Sequence, residues 1–172
     1  HIGNNLCRQL LEQGYNVRGT VRSLDKAPDL DMEFVEADVL KQEDWPRVLE
    51  GATGLFQLAT IYATSGDGQL ILDTANQGTQ NVLSAAAECG IKRIVYTSSV
   101  AAIRRTRHPN GHVFSSSDWC DDASPDVNPY GFAKAEAERK MRAFVKRCDE
   151  DSRPRLVTIH PSIVFGPVFH KR

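Results

Sequence analysis

Tyr130 and Lys134 stand four residues apart in the stretch Asn128-Pro129-Tyr130-Gly131-Phe132-Ala133-Lys134. That spacing puts a phenol and an amine on one face of a helix. The helix is predicted from its own signals: Asn128 is a good N-cap, Pro129 fits the first turn, and Ala135, Glu136, Ala137, Glu138, Lys140, Met141 and Arg142 are helix formers. Tyr130 then falls in the first turn, where the partial positive charge of the helix end and the Lys134 ammonium both favour phenolate, lowering a pKa that is otherwise about 10. A tyrosine so tuned can exchange a proton with a carbonyl or an alcohol near neutral pH. In isolation, the pattern fits a surface tyrosine and lysine on an amphipathic helix better, so the elements around it must decide.

Those elements alternate. Residues 1–13 carry Ile2, Leu6, Leu10 and Leu11 at helical spacing and stop at Gly14, and residues 16–21 read as a strand. Residues 33–36 form a second short strand leading to Ala37-Asp38-Val39, and residues 43–50 a short helix with acidic residues in its first turn. Residues 54–59 read as a third strand, and residues 69–88 as the longest helix, with Gly90 past its end. Residues 93–97 and 156–160 are the fourth and fifth strands, the latter closing on Pro161. This rhythm predicts an α/β fold with a doubly wound parallel sheet of Rossmann type, covered by helices on both faces, with ligands bound beyond the carboxyl ends of the strands. No repeat, low-complexity segment or linker divides residues 1–172.

Composition narrows the function classes. At 172 residues, 41% hydrophobic and 25% charged, the chain can bury a core as one domain. A formal net charge of -1 gives no reason to expect nucleic acid or an anionic membrane as partner, and no apolar run approaches membrane-spanning length. Cys7, Cys89, Cys120 and Cys148 lack disulfide-framework or zinc-ligand spacing. They read as small thiols in a reduced, cytoplasmic compartment, with no metal site expected. The basic run Arg104, Arg105, Arg107 and His108 fits a solvated loop better than a grip on an anionic substrate group.

The strand ends collect the informative residues. Thr97-Ser98-Ser99 follows the fourth strand, so a hydroxyl projects at the mouth of the sheet that also receives the Tyr130 helix. At the end of the 16–21 strand stands Arg22, with no acid until Asp25. In dinucleotide folds an acid there binds the ribose hydroxyls and disfavours a 2′-phosphate, whereas an arginine pairs with the phosphate. NADP (as NADPH) is therefore the expected cofactor.

With these residues in view the chain resembles the extended short-chain dehydrogenase/reductases, and within them the dihydroflavonol-4-reductase and cinnamoyl-CoA-reductase group. The resemblance spans essentially the whole chain. It rests on His1-Ile2-Gly3 as the end of a glycine-rich turn, Gly19-Thr20-Val21-Arg22, Ala37-Asp38-Val39, Phe56-Gln57-Leu58-Ala59-Thr60, Gly78-Thr79-Gln80-Asn81-Val82, Val95-Tyr96-Thr97-Ser98-Ser99, Ser117-Asp118-Trp119, Tyr130 to Lys134, and His160-Pro161-Ser162. Gln57 stands where this group usually has a histidine.

The resemblance implies a catalytic trio of Ser99, Tyr130 and Lys134. Lys134 would hold the nicotinamide ribose and acidify Tyr130, Tyr130 would protonate the substrate oxygen, and Ser99 would polarise it. It further implies cofactor contacts from Ile2, from Asp38 and Val39 at the adenine, from Leu58, Ala59 and Thr60 along the dinucleotide, and from Pro161 and Ile163 at the nicotinamide. Asp38 could equally cap the next turn, and Leu58 and Ile163 could be plain core. The partner implied is a small-molecule carbonyl or alcohol substrate, in a class that often forms homodimers.

The sequence favours a reductase over its relatives. Dehydratases of this superfamily carry an acid just after the serine, where this chain has Val100-Ala101-Ala102, and epimerases show a Tyr-Gly where Ile103-Arg104 stands. The expected function is NADP-dependent reduction of a carbonyl group by hydride transfer. The alternatives are an NAD-dependent sugar-nucleotide epimerase and a non-catalytic dinucleotide-binding module. In the strand order 3-2-1-4-5-6, a strand between residues 16–21 and 54–59 is expected and not found in the sequence, nor is a C-terminal substrate lobe. The 172 residues are accordingly expected to be an incomplete dinucleotide-binding domain that does not turn over substrate by itself.

Overall fold

A computed structural model describes residues 1–59, 68–167 and 169 of the chain. Helix α1 (Ile2–Glu12) is followed by strands β1 (Arg18–Val21) and β2 (Glu33–Glu36), helix α2 (Trp45–Leu49) and strand β3 (Gly54–Gln57). Then come the long helix α3 (Gly68–Glu88), β4 (Arg93–Thr97), the short α4 (Val100–Ile103), α5 (Pro129–Arg147) and β5 (Arg155–Ile159). Each strand expected from the sequence is present, within two residues at either end. The turn α4 was not expected, because four residues carry too little periodicity to show one.

All the pairings are parallel, as short apolar runs separated by helices require. They fall into two sheets, β1-β2 and β3-β4-β5. Among the described residues β1 and β3 do not pair with each other, so the sheet is divided where the expected order leaves a place for a further strand. Arg18 ties β1 to α2, donating from Nη1 to the carbonyls of Val48 and Glu50 at 2.9 and 2.7 Å while Nε meets Glu33 at 2.7 Å.

A single apolar cluster joins the two halves. Val35 from β2, Trp45, Val48 and Leu49 from α2, Val82, Leu83 and Ala86 from α3, Ile94 and Tyr96 from β4, and Ala133, Ala137 and Met141 from α5 are all buried in it. Helix α3 reaches both sheets. Gly78 lets it close on the segment after β2, since a Cβ there would lie 3.1 Å from that of Val39, and Asn81 Nδ2 donates to the Val39 carbonyl at 2.9 Å.

The expectation of helices on both faces is corrected for β3-β4-β5. Ile94 and Tyr96, with their neighbours Leu55 and Leu156, face the helices. The opposite face presents Phe56, Val157 and Ile159, each more than 40% exposed. Helix α1 buries none of its residues, so it does not close that face. A 3.6-residue period shows that a helix has an apolar side but not which surface that side meets.

Candidate functional site

Residues at the carboxyl end of β4 and the start of α5 converge. Asn128 caps α5 as its residue type suggests, its Oδ1 accepting from the Gly131 amide at 3.0 Å. It does so at φ 132, a region asparagine tolerates better than most residues, and its Nδ2 donates to Thr106 Oγ1 at 3.1 Å. The cap leaves no room at residue 131, because a Cβ on Gly131 would sit 2.5 Å from Asn128 Nδ2. A side chain at this position, one residue after Tyr130, would have to displace the capping amide of Asn128.

Lys134, one helical turn further, is buried at 3% exposure. Its Nζ donates to the Thr97 carbonyl at 3.2 Å, at the end of β4, and stands 5.8 Å from the centre of the Tyr96 ring. Burial pushes the lysine pKa down to about 8, against an opposing pull from Glu138. Tyr96 moves the other way. Burial raises its phenol well above the ordinary value, and the charges of Glu138 and Tyr130 add to this, which places Tyr130 within electrostatic reach of Tyr96. Tyr130 itself is half-buried.

Ser99 and Ser98 point to different uses. Ser99 caps α4, its Oγ accepting from the Ala101 amide at 3.1 Å, which leaves its O–H to donate elsewhere. Ser98 turns inward, its buried hydroxyl lying beside the Glu138 carboxylate without reaching hydrogen-bond geometry. The segment after β5 joins them: Ser98 N–H donates to the Ile159 carbonyl at 2.9 Å and Val100 N–H to the Pro161 carbonyl at 3.0 Å. Ser99, Lys134 and Pro161 are therefore brought together by hydrogen bonds around the end of β4, with Tyr130 on the helix above.

The other expected cofactor residues are more scattered. Asp38 is engaged in its own turn, Oδ1 accepting from the Leu40 amide at 3.0 Å and its carbonyl from Trp45 Nε1 at 3.2 Å. Val39 is half-buried against α3. Arg22 is exposed at the end of β1 and makes no hydrogen bond or ion pair to a described residue. Leu58 is half-buried and Ala59 exposed just beyond β3, while Thr60 lies outside the described residues. Ile163 is 78% exposed in this chain, and Ile2 is exposed at the start of α1.

Three residues outside the expected site, Glu138, Arg142 and His160, belong to its surroundings. Glu138 lies one turn beyond Lys134 and accepts from His160 and Arg142. The only signal for it in the sequence was the i, i+4 continuation Tyr130, Lys134, Glu138, which is too common among helices to stand out. Elsewhere, Arg105, Arg107 and His108 line a shallow hollow together with Asp121 and Asp122. Its charge is thus mixed, against the anionic grip. No described helix is long and apolar enough to cross a membrane, and no cluster of metal-ligating side chains occurs among the described residues.

Comparison with known proteins adds to this geometry. The model of the NAD dependent epimerase/dehydratase family matches residues 1–172. Cinnamoyl-CoA reductase 1 of Petunia hybrida is 32% identical over 97% of this chain and 52% of its own length. Gre2 from Candida albicans superposes with a TM-score of 0.82 at 31% identity, over 96% of this chain and 55% of that protein. Yeast Gre2, a methylglyoxal/isovaleraldehyde reductase solved with NADPH, gives a TM-score of 0.84 at 23% identity over 96% of this chain and 56% of that one, a likeness of fold. The chain thus spans about half the length of these relatives.

Proposed function

From the premise that the chain belongs to the NAD dependent epimerase/dehydratase family, we propose that the whole protein is an NADP-dependent oxidoreductase reducing a carbonyl group of a small or medium organic substrate. The observation that supports this above all is a buried lysine ammonium one helical turn from a half-buried tyrosine, beside a serine hydroxyl with a proton to donate. The relatives named as reductases favour reduction over epimerisation.

The residues present suit a dinucleotide. Lys134 has three N–H donors and one acceptor among the described residues, the Thr97 carbonyl, so two remain for a ribose hydroxyl. When bound, the nicotinamide supplies the hydride. The remaining work falls to side chains. The Lys134 charge favours phenolate at Tyr130 and so eases loss of its proton. Tyr130 Oη gives that proton to the substrate oxygen as negative charge builds on it, and Ser99 Oγ donates its hydrogen to the same oxygen. Arg22, without a partner among the described residues at the end of β1, is the group for a 2′-phosphate.

The test is to mix the whole protein with NADPH and a panel of aldehydes and ketones and to follow the cofactor absorbance. Oxidation of NADPH is expected with at least one of them. Tyr130→Phe should lower turnover by about 10²- to 10⁴-fold with little change in cofactor affinity, since only the proton donor is removed. Near-normal turnover in that variant, or no NADPH oxidation across the panel, would overturn the proposal.

A further inference from the structure

The face of α5 that carries Tyr130 and Lys134 continues to Glu138, whose side chain is 1% exposed. Arg142 and His160 meet this carboxylate. Arg142 reaches Oε1 from Nη2 at 2.7 Å and from Nε at 2.9 Å, and His160 Nε2 lies 2.8 Å from Oε2. Burial raises the Glu138 pKa, but the Ser98 hydroxyl, Arg142 and His160 together outweigh it and hold the acid below its ordinary value. The group is therefore an anion inside the protein at neutral pH.

A clamp between helix and strand is one result, because Arg142 also donates to Thr158 Oγ1 of β5 at 2.9 Å. An apolar contact would hold two elements together at less desolvation cost than a buried carboxylate. What the carboxylate provides and an apolar contact cannot is charge. It opposes the effect of burial on Lys134.

We propose that Glu138 is a positioning residue: held by Arg142 and His160, it is the counter-charge that keeps the buried Lys134 ammonium protonated beside Tyr130 at neutral pH. Its effect on Lys134 rests on the placement of the two buried side chains one helical turn apart on α5, and its consequence for turnover rests on the reductase reading above. Among the described residues, the charged and titratable groups that face this pair are few. They are Tyr130, Glu138 and Arg142 on α5, Tyr96 on β4 and His160 beyond β5. Helix α4 carries none, and Asp73 and Glu88 of α3 and Arg155 of β5 are exposed.

Glu138→Gln keeps the shape and removes the charge. Without the anion the Lys134 pKa falls further, by about one unit, which takes the ammonium fraction at pH 7 from about nine-tenths to about half. The experiment is an NMR titration of isotope-labelled lysine in the whole protein without cofactor, with the Lys134 signal assigned by its loss in Lys134→Met. The midpoint is expected to drop by about one pH unit in Glu138→Gln and to stay near the wild-type value in Glu138→Asp. The high-pH limb of the carbonyl-reduction rate should drop with it. If Glu138→Gln does not fold, Glu138→Leu removes the charge with an apolar side chain that needs no buried partner and should move the midpoint in the same direction. An unchanged Lys134 midpoint in a folded variant of either kind overturns the proposal while leaving the reductase reading intact. A lowered midpoint with no movement of the pH–rate limb supports Glu138 as the counter-charge and overturns the role of Lys134 in turnover.

Discussion

Replacing Lys134 by methionine should stabilise the protein while disabling it. The lysine is 3% exposed, and burial takes its pKa from 10.5 to about 8. At about 1.4 kcal/mol per pKa unit, keeping the ammonium buried costs the folded state about 3 kcal/mol. The sign follows from the protons bound. Below pH 8 the lysine is charged in both states and the cost is present in full. Between pH 8 and 10.5 the folded protein has released the proton and the unfolded chain still holds it, so stability rises with pH through that window. Methionine removes the cost at a similar side-chain length, but it leaves the half-buried Thr97 carbonyl without its donor, a loss of about 1–2 kcal/mol. A net gain of about 1–2 kcal/mol at pH 7 is expected, shrinking by about 2 kcal/mol by pH 10, where the wild-type lysine is largely neutral. Urea unfolding of the two whole proteins without cofactor, at pH 7 and pH 10, measures both quantities, and loss of NADPH binding in Lys134→Met measures the functional side. A variant less stable than wild type at pH 7, with a difference that does not change with pH, would refute the reasoning that Lys134 is a strained, functional ammonium.

Further outcomes follow from the sites around it. Gly131→Ala should lower stability by about 1 kcal/mol, because losing the Asn128 cap and its bond to Thr106 outweighs the greater helix propensity of alanine. Turnover should fall with it, since the displaced turn carries Tyr130; denaturant unfolding and steady-state kinetics would check both, and unchanged values would mean that the Asn128 amide has room to rotate. Arg22→Ala should weaken NADPH by about 10- to 100-fold and NADH far less, read by fluorescence titration, because only the former offers a 2′-phosphate to the guanidinium. Equal losses for the two cofactors would remove Arg22 from the site.

Much of this protein is written locally. The start of α5 is legible because each of its signals acts over three or four residues: the Asn128 side chain, the Pro129 ring and the spacing of Tyr130 and Lys134 need no distant partner. The strands at residues 33–36 and 93–97 are legible for a similar reason, as short apolar runs bounded by turns. A serine at the end of the fourth strand could also be read, since parallel sheets gather such residues at one edge. Other features depend on residues far apart in the chain. Ser98 and Ser99 are adjacent and chemically identical, and only the packing of β4 against α5 and the crossing of the Pro161 segment turn one toward Glu138 and leave the other with a proton to donate. Glu138 reads as a surface helix acid until His160, 22 positions along, and Arg142 close over it. The open face of Phe56, Val157 and Ile159 was missed because strand periodicity shows which residues share a side and not what covers it. The low exposure of Lys134, which lowers its pKa and makes it costly, exists only once the helix lies on the end of the sheet, because desolvation is a property of the whole packed surroundings rather than of the four residues that separate it from the tyrosine.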